Sequence, residues 1–126
     1  MALRILVADD AEMVRIGIRD ILSSSSEEWA ICGEVADAEQ LISRVSELKP
    51  DVLLLDLSVA RPSGLGFVKT LQGSLPGMEI ILMSAQEPAV LRHLADSVGV
   101  GNFVSKSRVA TDLIPQLEAI SLKKSQ

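Results

Sequence analysis

Cysteine, histidine and tryptophan occur once each in these 126 residues, and tyrosine does not occur at all. A lone cysteine, Cys32, can form neither an internal disulfide nor a zinc cluster, which points to a reducing compartment. Basic residues are few: 12 Lys and Arg stand against 17 Asp and Glu, a net charge of −5, and apart from Lys123 and Lys124 they are scattered singly. Holding a phosphate backbone needs a concentrated basic face, so no direct nucleic-acid binding is expected of this stretch. Long hydrophobic runs are missing as well. The first run, Leu3–Ala8, is closed by Asp9 and Asp10, too short for the apolar region of a signal peptide and far short of a membrane span. The expected location is the cytoplasm, with no membrane contact. The length admits one domain and not two, while 48% apolar and 23% charged residues exclude a disordered chain.

What the chain does contain is an alternation. Leu3–Ala8, Val52–Leu55 and Ile80–Met83 are short, bounded and rich in branched residues, the pattern of strands buried on both faces. Between and after them come five segments with helical spacing, carried by Val14, Ile18, Ile21 and Leu22; Leu41, Ile42, Val45 and Leu48; Leu65, Val68 and Leu71; Leu91, Leu94, Ala95 and Val98; and Leu113, Leu117 and Ile120. Two weaker strands, Trp29–Val35 and Asn102–Val104, complete five β-α repeats. Asp37 with Gln40 three residues on predicts a helix cap, and Pro88 fits a first helical turn. The serines from Ser23 to Ser26, followed by Glu27 and Glu28, predict a solvated turn, and the end after Leu122 a polar, fraying tail. Right-handed crossovers of this length call for a parallel sheet covered by helices on both faces. Ligands of such sheets bind at the carboxyl ends of the strands.

The residues at those ends are Asp9 and Asp10 after the first strand, Asp56 after the third, Ser84 after the fourth and Lys106 after the fifth. Three crowded carboxylates repel one another, and a hard divalent cation resolves the conflict, so the cluster reads as a magnesium site. A lysine and a hydroxyl opposite it suit a phosphoryl group, whose charge spreads over three oxygens. With no Cys, His or Tyr at the rim, the available nucleophile is a carboxylate.

The opening Ile5-Leu-Val-Ala-Asp9-Asp10-Ala-Glu-Met-Val-Arg15, the stretch Pro50–Ser58, Met83-Ser84-Ala85 and Phe103-Val-Ser-Lys106 together resemble the receiver domain of bacterial response regulators, over essentially the whole chain. The resemblance implies a flavodoxin-like, three-layer, doubly wound (βα)5 fold with strand order 2-1-3-4-5, residues 1–122 forming the receiver and 123–126 a polar tail or the start of a linker. It implies that Asp56 is the phosphoacceptor. Asp10 would bind Mg2+ (or Mn2+) directly, Asp9 through water, with Asp56 and the backbone carbonyl of Ser58 completing the metal ligands. Ser84 and Lys106 would hold the phosphoryl oxygens, and Ser84 and Phe103 would form the switch. The implied partners are a sensor histidine kinase or phosphotransfer domain and a second copy of the chain through the face of helix 4, strand 5 and helix 5. The opening and the Lys106-Ser107 junction are also similar to receivers that precede a helix-turn-helix DNA-binding output domain, which would lie outside these 126 residues; a stand-alone receiver is the alternative. On this reading the protein is a signalling switch, not a turnover enzyme on an external substrate.

Three positions depart from the family pattern. Ala60 stands where many receivers have proline, which appears instead at Pro62. Ser107 replaces a proline after the lysine, and Phe103 lacks the hydroxyl of the more common tyrosine, so a switch there works through packing. Each site residue has a plainer reading: Asp9 and Asp10 as helix caps, Asp56 as a strand end, Ser84 as turn chemistry, Phe103 as core. Cys32 reads as an inert packed thiol and His93 as a surface residue. Among other functions, a flavin-binding flavodoxin wants a hydroxyl- or glycine-rich phosphate loop where Asp9 to Glu12 stand, and an aspartate-nucleophile phosphatase wants a second acid at Ser58. A pseudo-receiver that binds partners without phosphorylation is the remaining alternative.

Overall fold

The computed structural model describes residues 2–25, 28–60 and 64–125. Ser26, Glu27 and Pro62 lie outside the described residues. Five strands, β1 (Leu3–Ala8), β2 (Trp29–Val35), β3 (Val52–Asp56), β4 (Glu79–Ser84) and β5 (Asn102–Ser105), pair in parallel in the order β2-β1-β3-β4-β5. The helices are α1 (Glu12–Ser25), α2 (Ala38–Leu48), α3 (Gly64–Ser74), α4 (Pro88–Ser97) and α5 (Val109–Lys124), with 3-10 turns at Leu57–Ala60 and Lys106–Arg108. The flavodoxin-like order expected from the sequence is the order found.

The unbroken apolar runs of the central strands follow from the layers on either side. Leu6 and Ala8 of β1, Leu53 and Leu55 of β3, and Ile80 and Leu82 of β4 pack into one core with α2, α3 and α4. Their neighbours in sequence, Ile5 and Val7, Val52 and Leu54, and Ile81 and Met83, enter a second core with α1 and α5. Because successive strand residues point to opposite faces, the stretch of a strand that is covered on both sides must be apolar throughout. Each fully buried Leu or Ile contributes roughly 1.5–3 kcal/mol of burial free energy.

The edge strand β2 is less regular. Its register against β1 shifts between Ile5 and Leu6, which pair with Ile31 and Gly33 and leave Cys32 as the inserted residue of a bulge. A Cβ on Gly33 would sit 2.9 Å from Leu48 Cδ1 and 3.2 Å from Leu6 Cδ1, so a larger residue there would have to displace these leucine side chains. Burial pushes the Cys32 thiol above its ordinary pKa, in keeping with an unreactive, half-buried side chain.

Helix ends follow local chemistry. Asp37 Oδ1 accepts from the Gln40 amide at 2.8 Å, and Pro88 opens α4. The α2 terminus turns at Lys49, left-handed with φ 47°, while Arg4 Nη1 donates to the Leu48 and Lys49 carbonyls at 2.6 and 3.0 Å. Three sequence expectations need correction. Ser23, Ser24 and Ser25 are helical rather than a turn, because their hydroxyls return to carbonyls of the preceding turn and Ser25 Oγ also accepts from Trp29 Nε1 at 2.8 Å. Lys123 and Lys124 continue α5 instead of fraying, since Lys123 Nζ pairs with Glu79 at 2.8 Å and Lys124 Nζ donates to the Gly77 carbonyl. Ile42, counted with the apolar stripe of α2, is 55% exposed.

Candidate functional site

Parallel register brings the strand ends level. Ala8 pairs with Leu55, Asp56 with Met83 and Ser84 with Ser105, so Asp9, Asp56, Ser84 and Lys106 emerge at one rim. The apolar runs end there in charged or hydroxyl side chains.

Asp9 is fully buried, Asp56 is buried and Asp10 is exposed, yet one carboxylate oxygen from each lies within 4.8 Å of the others. Lys106 Nζ stands 2.9 Å from Asp9 Oδ2 and 3.0 Å from Asp56 Oδ2. The ammonium is the one cation that meets this buried Asp9 oxygen among the described residues. Burial alone would depress the Lys106 ammonium, but the Asp9 and Asp56 carboxylates outweigh it and hold the group above the ordinary lysine value. Two buried carboxylates therefore share one ammonium, with the exposed Asp10 beside them.

The backbone around Asp9 is held from two sides. Its Oδ1 accepts from the Ala11 amide at 2.8 Å, and its carbonyl accepts from Arg15 Nη1 at 2.6 Å. Arg15 Nε in turn pairs with Glu34 at 3.2 Å, and Glu34 with Arg19 at 2.8 Å. The Ala11 contact falls ahead of α1, whose first turn closes on the Ala11 carbonyl through the Val14 and Arg15 amides. The Asp9 carboxylate is thus turned toward the cluster and does not cap the helix interior.

Ser58, whose backbone carbonyl is the expected metal ligand, also brings its side chain to the site. Its hydroxyl contacts Asp10 Oδ1 at 3.2 Å and makes a short hydrogen bond to Asp56 Oδ2, bridging the two acids from the 3-10 turn after β3. Ala60, at the position where many receivers carry proline, closes that turn and is buried with Val59. Ser84 is buried and accepts from the Gln86 amide at 3.1 Å. Phe103 is half-buried against the α2–α4 core, and its carbonyl accepts from Gln116 Nε2 at 2.6 Å. His93 is exposed on α4. An open depression lined by Asp10, Asp56, Ser58, Ser84, Gln86 and Lys106 leads to the cluster.

The donor set fits a hard divalent cation. All its ligating atoms are oxygens, and three carboxylates outnumber the one ammonium, so negative charge exceeds positive. In a sheet wound in this order, such a cluster at the carboxyl ends defines a receiver-type fold.

The comparison with known proteins agrees. The profile of the family described as response regulator receiver domain matches residues 5–118. The response regulator protein VraR of Staphylococcus epidermidis is 35% identical over 115 residues, covering 90% of this chain and 54% of its own. The non-phosphorylated receiver domain of the stress response regulator RcsB from Escherichia coli superposes with a TM-score of 0.85 at 26% identity, covering 100% of this chain and 96% of that one. RcsB from Salmonella enterica serovar Typhimurium, solved bound to promoter rprA with the phosphomimetic BeF3-, gives 0.84 at 29% identity, over 96% of this chain and 61% of that one. The chain belongs to the response regulator receiver family and is a receiver domain of two-component signal transduction, a signalling protein. It spans about half the length of the curated relatives it matches.

Proposed function

We propose that Asp56 accepts a phosphoryl group from the phosphohistidine of a sensor histidine kinase or phosphotransfer domain, with Mg2+ (or Mn2+) held by Asp10, Asp56 and the Ser58 carbonyl and, through water, by Asp9. The observation that carries this reading is the Asp9, Asp10 and Asp56 cluster, three acids with ligand oxygens within 4.8 Å of one another, two of them paired with Lys106. When bound, the cation offsets the carboxylates and draws in phosphoryl oxygens. An oxygen of the Asp56 carboxylate forms the new bond to phosphorus as the nitrogen–phosphorus bond breaks, and the histidine nitrogen leaves with the electron pair. Lys106 and the Ser84 hydroxyl then hold phosphoryl oxygens, which requires Ser58 to release Asp56 and Ser84 to turn from its own loop.

The added charge of about −1.5 to −2 biases the α4-β5-α5 face through Ser84 and Phe103, with coupling of about 1–3 kcal/mol. That face serves homodimerisation or meets an output module, and Val90 of α4 is a large apolar side chain already 45% exposed. A helix-turn-helix output controlling transcription fits the promoter-bound RcsB relative and the greater length of VraR. No helix among the described residues is long and apolar enough to cross a membrane, which suits the proposed cytoplasmic location.

Acetyl phosphate with Mg2+ should add one phosphate by intact mass, acid-stable and base-labile, and EDTA should abolish the adduct. Full labelling in EDTA would refute the divalent requirement, and no labelling under either condition would leave the pseudo-receiver reading. Asp10→Asn should weaken Mg2+ binding by more than about tenfold in a calorimetric titration. Because Asp10 is exposed and pairs with no cation among the described residues, the metal-free variant should melt at or above the wild-type temperature. A clearly lower melting temperature would restore the helix-cap reading.

A further inference from the structure

Four polar or charged residues are buried among the described residues: Asp9, Asp56, Ser84 and Ser105. Three belong to the site already described. Ser105 is the last residue of β5, directly before Lys106 and in register with Ser84 on β4. A buried hydroxyl in a strand costs free energy unless bonded, and this one is bonded across elements. Ser105 Oγ donates to the Gln86 carbonyl at 3.2 Å and lies 3.1 Å from the hydroxyl of Ser107, which can donate to it in turn. The Gln86 amide meanwhile donates to Ser84 Oγ at 3.1 Å. Gln86, two residues beyond Ser84, is therefore held at both of its backbone groups, by Ser84 on one side and Ser105 on the other.

We infer that Ser105 is a positioning residue, a latch that holds the loop between β4 and α4 in its unphosphorylated arrangement. The inference rests on the phosphoacceptor reading above. Turning the Ser84 hydroxyl toward a phosphoryl oxygen strains the bond it accepts from the Gln86 amide and pulls on the loop. The Ser105 hydroxyl keeps the Gln86 carbonyl where it is and opposes that movement. A contact present in one state and strained in the other shifts the equilibrium between them by its differential strength. Ser105 therefore raises the threshold for switching, and because the next residue is Lys106, the latch joins the two segments that must both grip the phosphoryl group.

Beryllofluoride with Mg2+ is the probe, standing in for the phosphoryl group on Asp56, and the full chain is titrated with it while amide shifts are followed. Ser105→Ala should bind beryllofluoride about fivefold more tightly than wild type, the fold-change of one neutral hydrogen bond. Without ligand, the Gln86 and Glu87 amides should exchange with solvent several-fold faster in that variant. Ser105→Thr, which restores a hydroxyl, should return both quantities toward wild type, and Ser105→Cys, nearly the same size with a weak donor, should follow Ser105→Ala even if the alanine variant folds poorly. A merely structural serine would lower the melting temperature without tightening the ligand. Unchanged or weaker beryllofluoride binding in Ser105→Ala and Ser105→Cys, with wild type binding normally, overturns the latch alone. Failure of wild type to bind overturns the phosphoacceptor reading, while unchanged exchange at Gln86, measured without ligand, overturns the latch in either case.

Discussion

Asp56→Asn is expected to reduce phosphorylation by acetyl phosphate to below about one per cent of the wild-type level, since an amide oxygen is too weak a nucleophile to replace the carboxylate. The loss should be chemical and not a failure to fold. Lys106 keeps the buried Asp9 carboxylate as its partner at 2.9 Å, and Ser58 retains Asp10 at 3.2 Å, so the rim loses one charge and not its connections. A melting temperature near that of wild type, measured alongside intact mass after incubation with acetyl phosphate and Mg2+, separates the two causes. Labelling of the variant at the wild-type level would move the phosphoacceptor elsewhere.

Lys106→Met should show the largest change in stability of any substitution at the rim. Lys106 is the one cation paired with Asp9 or Asp56 among the described residues, and its removal leaves two buried carboxylates facing each other. Breaking a buried pair costs about 3–5 kcal/mol, but the side chain of Lys106 is 23% exposed and the depression is open, so solvent lowers the expected cost to about 2–3 kcal/mol in metal-free protein. Saturating Mg2+ should recover much of this, because a ligand that binds only the folded state stabilises it by mass action. The pH dependence has a definite sign. The Lys106 ammonium is held above its unfolded value, so its contribution is fully present below about pH 10.4 and is lost as pH rises through the folded value; wild type should show no change from this group between about pH 6 and 9. Urea unfolding with EDTA, with Mg2+, and across this range checks each point. A metal-free variant as stable as wild type would mean that the lysine is a surface residue in energetic terms.

How much of this was legible in the sequence differs between strands and loops. β1, β3 and β4 are covered on both faces, so their apolar runs and the polar residues that end them could be read directly, and with them Asp9, Asp10, Asp56 and Ser84; Lys106, after the weaker β5, was legible through the family pattern. Ile42 has the spacing of a core residue but faces outward, because a regular helical stripe can be wider than the surface that covers it. Ser23 to Ser25 have turn-forming composition, yet serine hydroxyls can bond back to helix carbonyls, and composition does not distinguish the outcomes. The bulge at Cys32 is a matter of register between β1 and β2, segments far apart in the chain. At the site, the bridging hydroxyl of Ser58, the hold of Arg15 on the Asp9 carbonyl and the bond from Ser105 to Gln86 were not foreseen, because each depends on side-chain direction in an irregular segment. Arg15 had one signal available: a basic residue one turn into α1, on the side of Glu34 in the neighbouring strand.

The most direct test of the central assignment is to locate the phosphoryl group. After phosphorylation with acetyl phosphate and Mg2+, borohydride reduces an aspartyl phosphate to the alcohol, and peptide mass mapping then identifies the residue converted to homoserine. The account predicts a single conversion, at Asp56, absent in EDTA. Conversion at Asp9 or Asp10, or a phosphate on His93 with Asp56 unmodified, would contradict it.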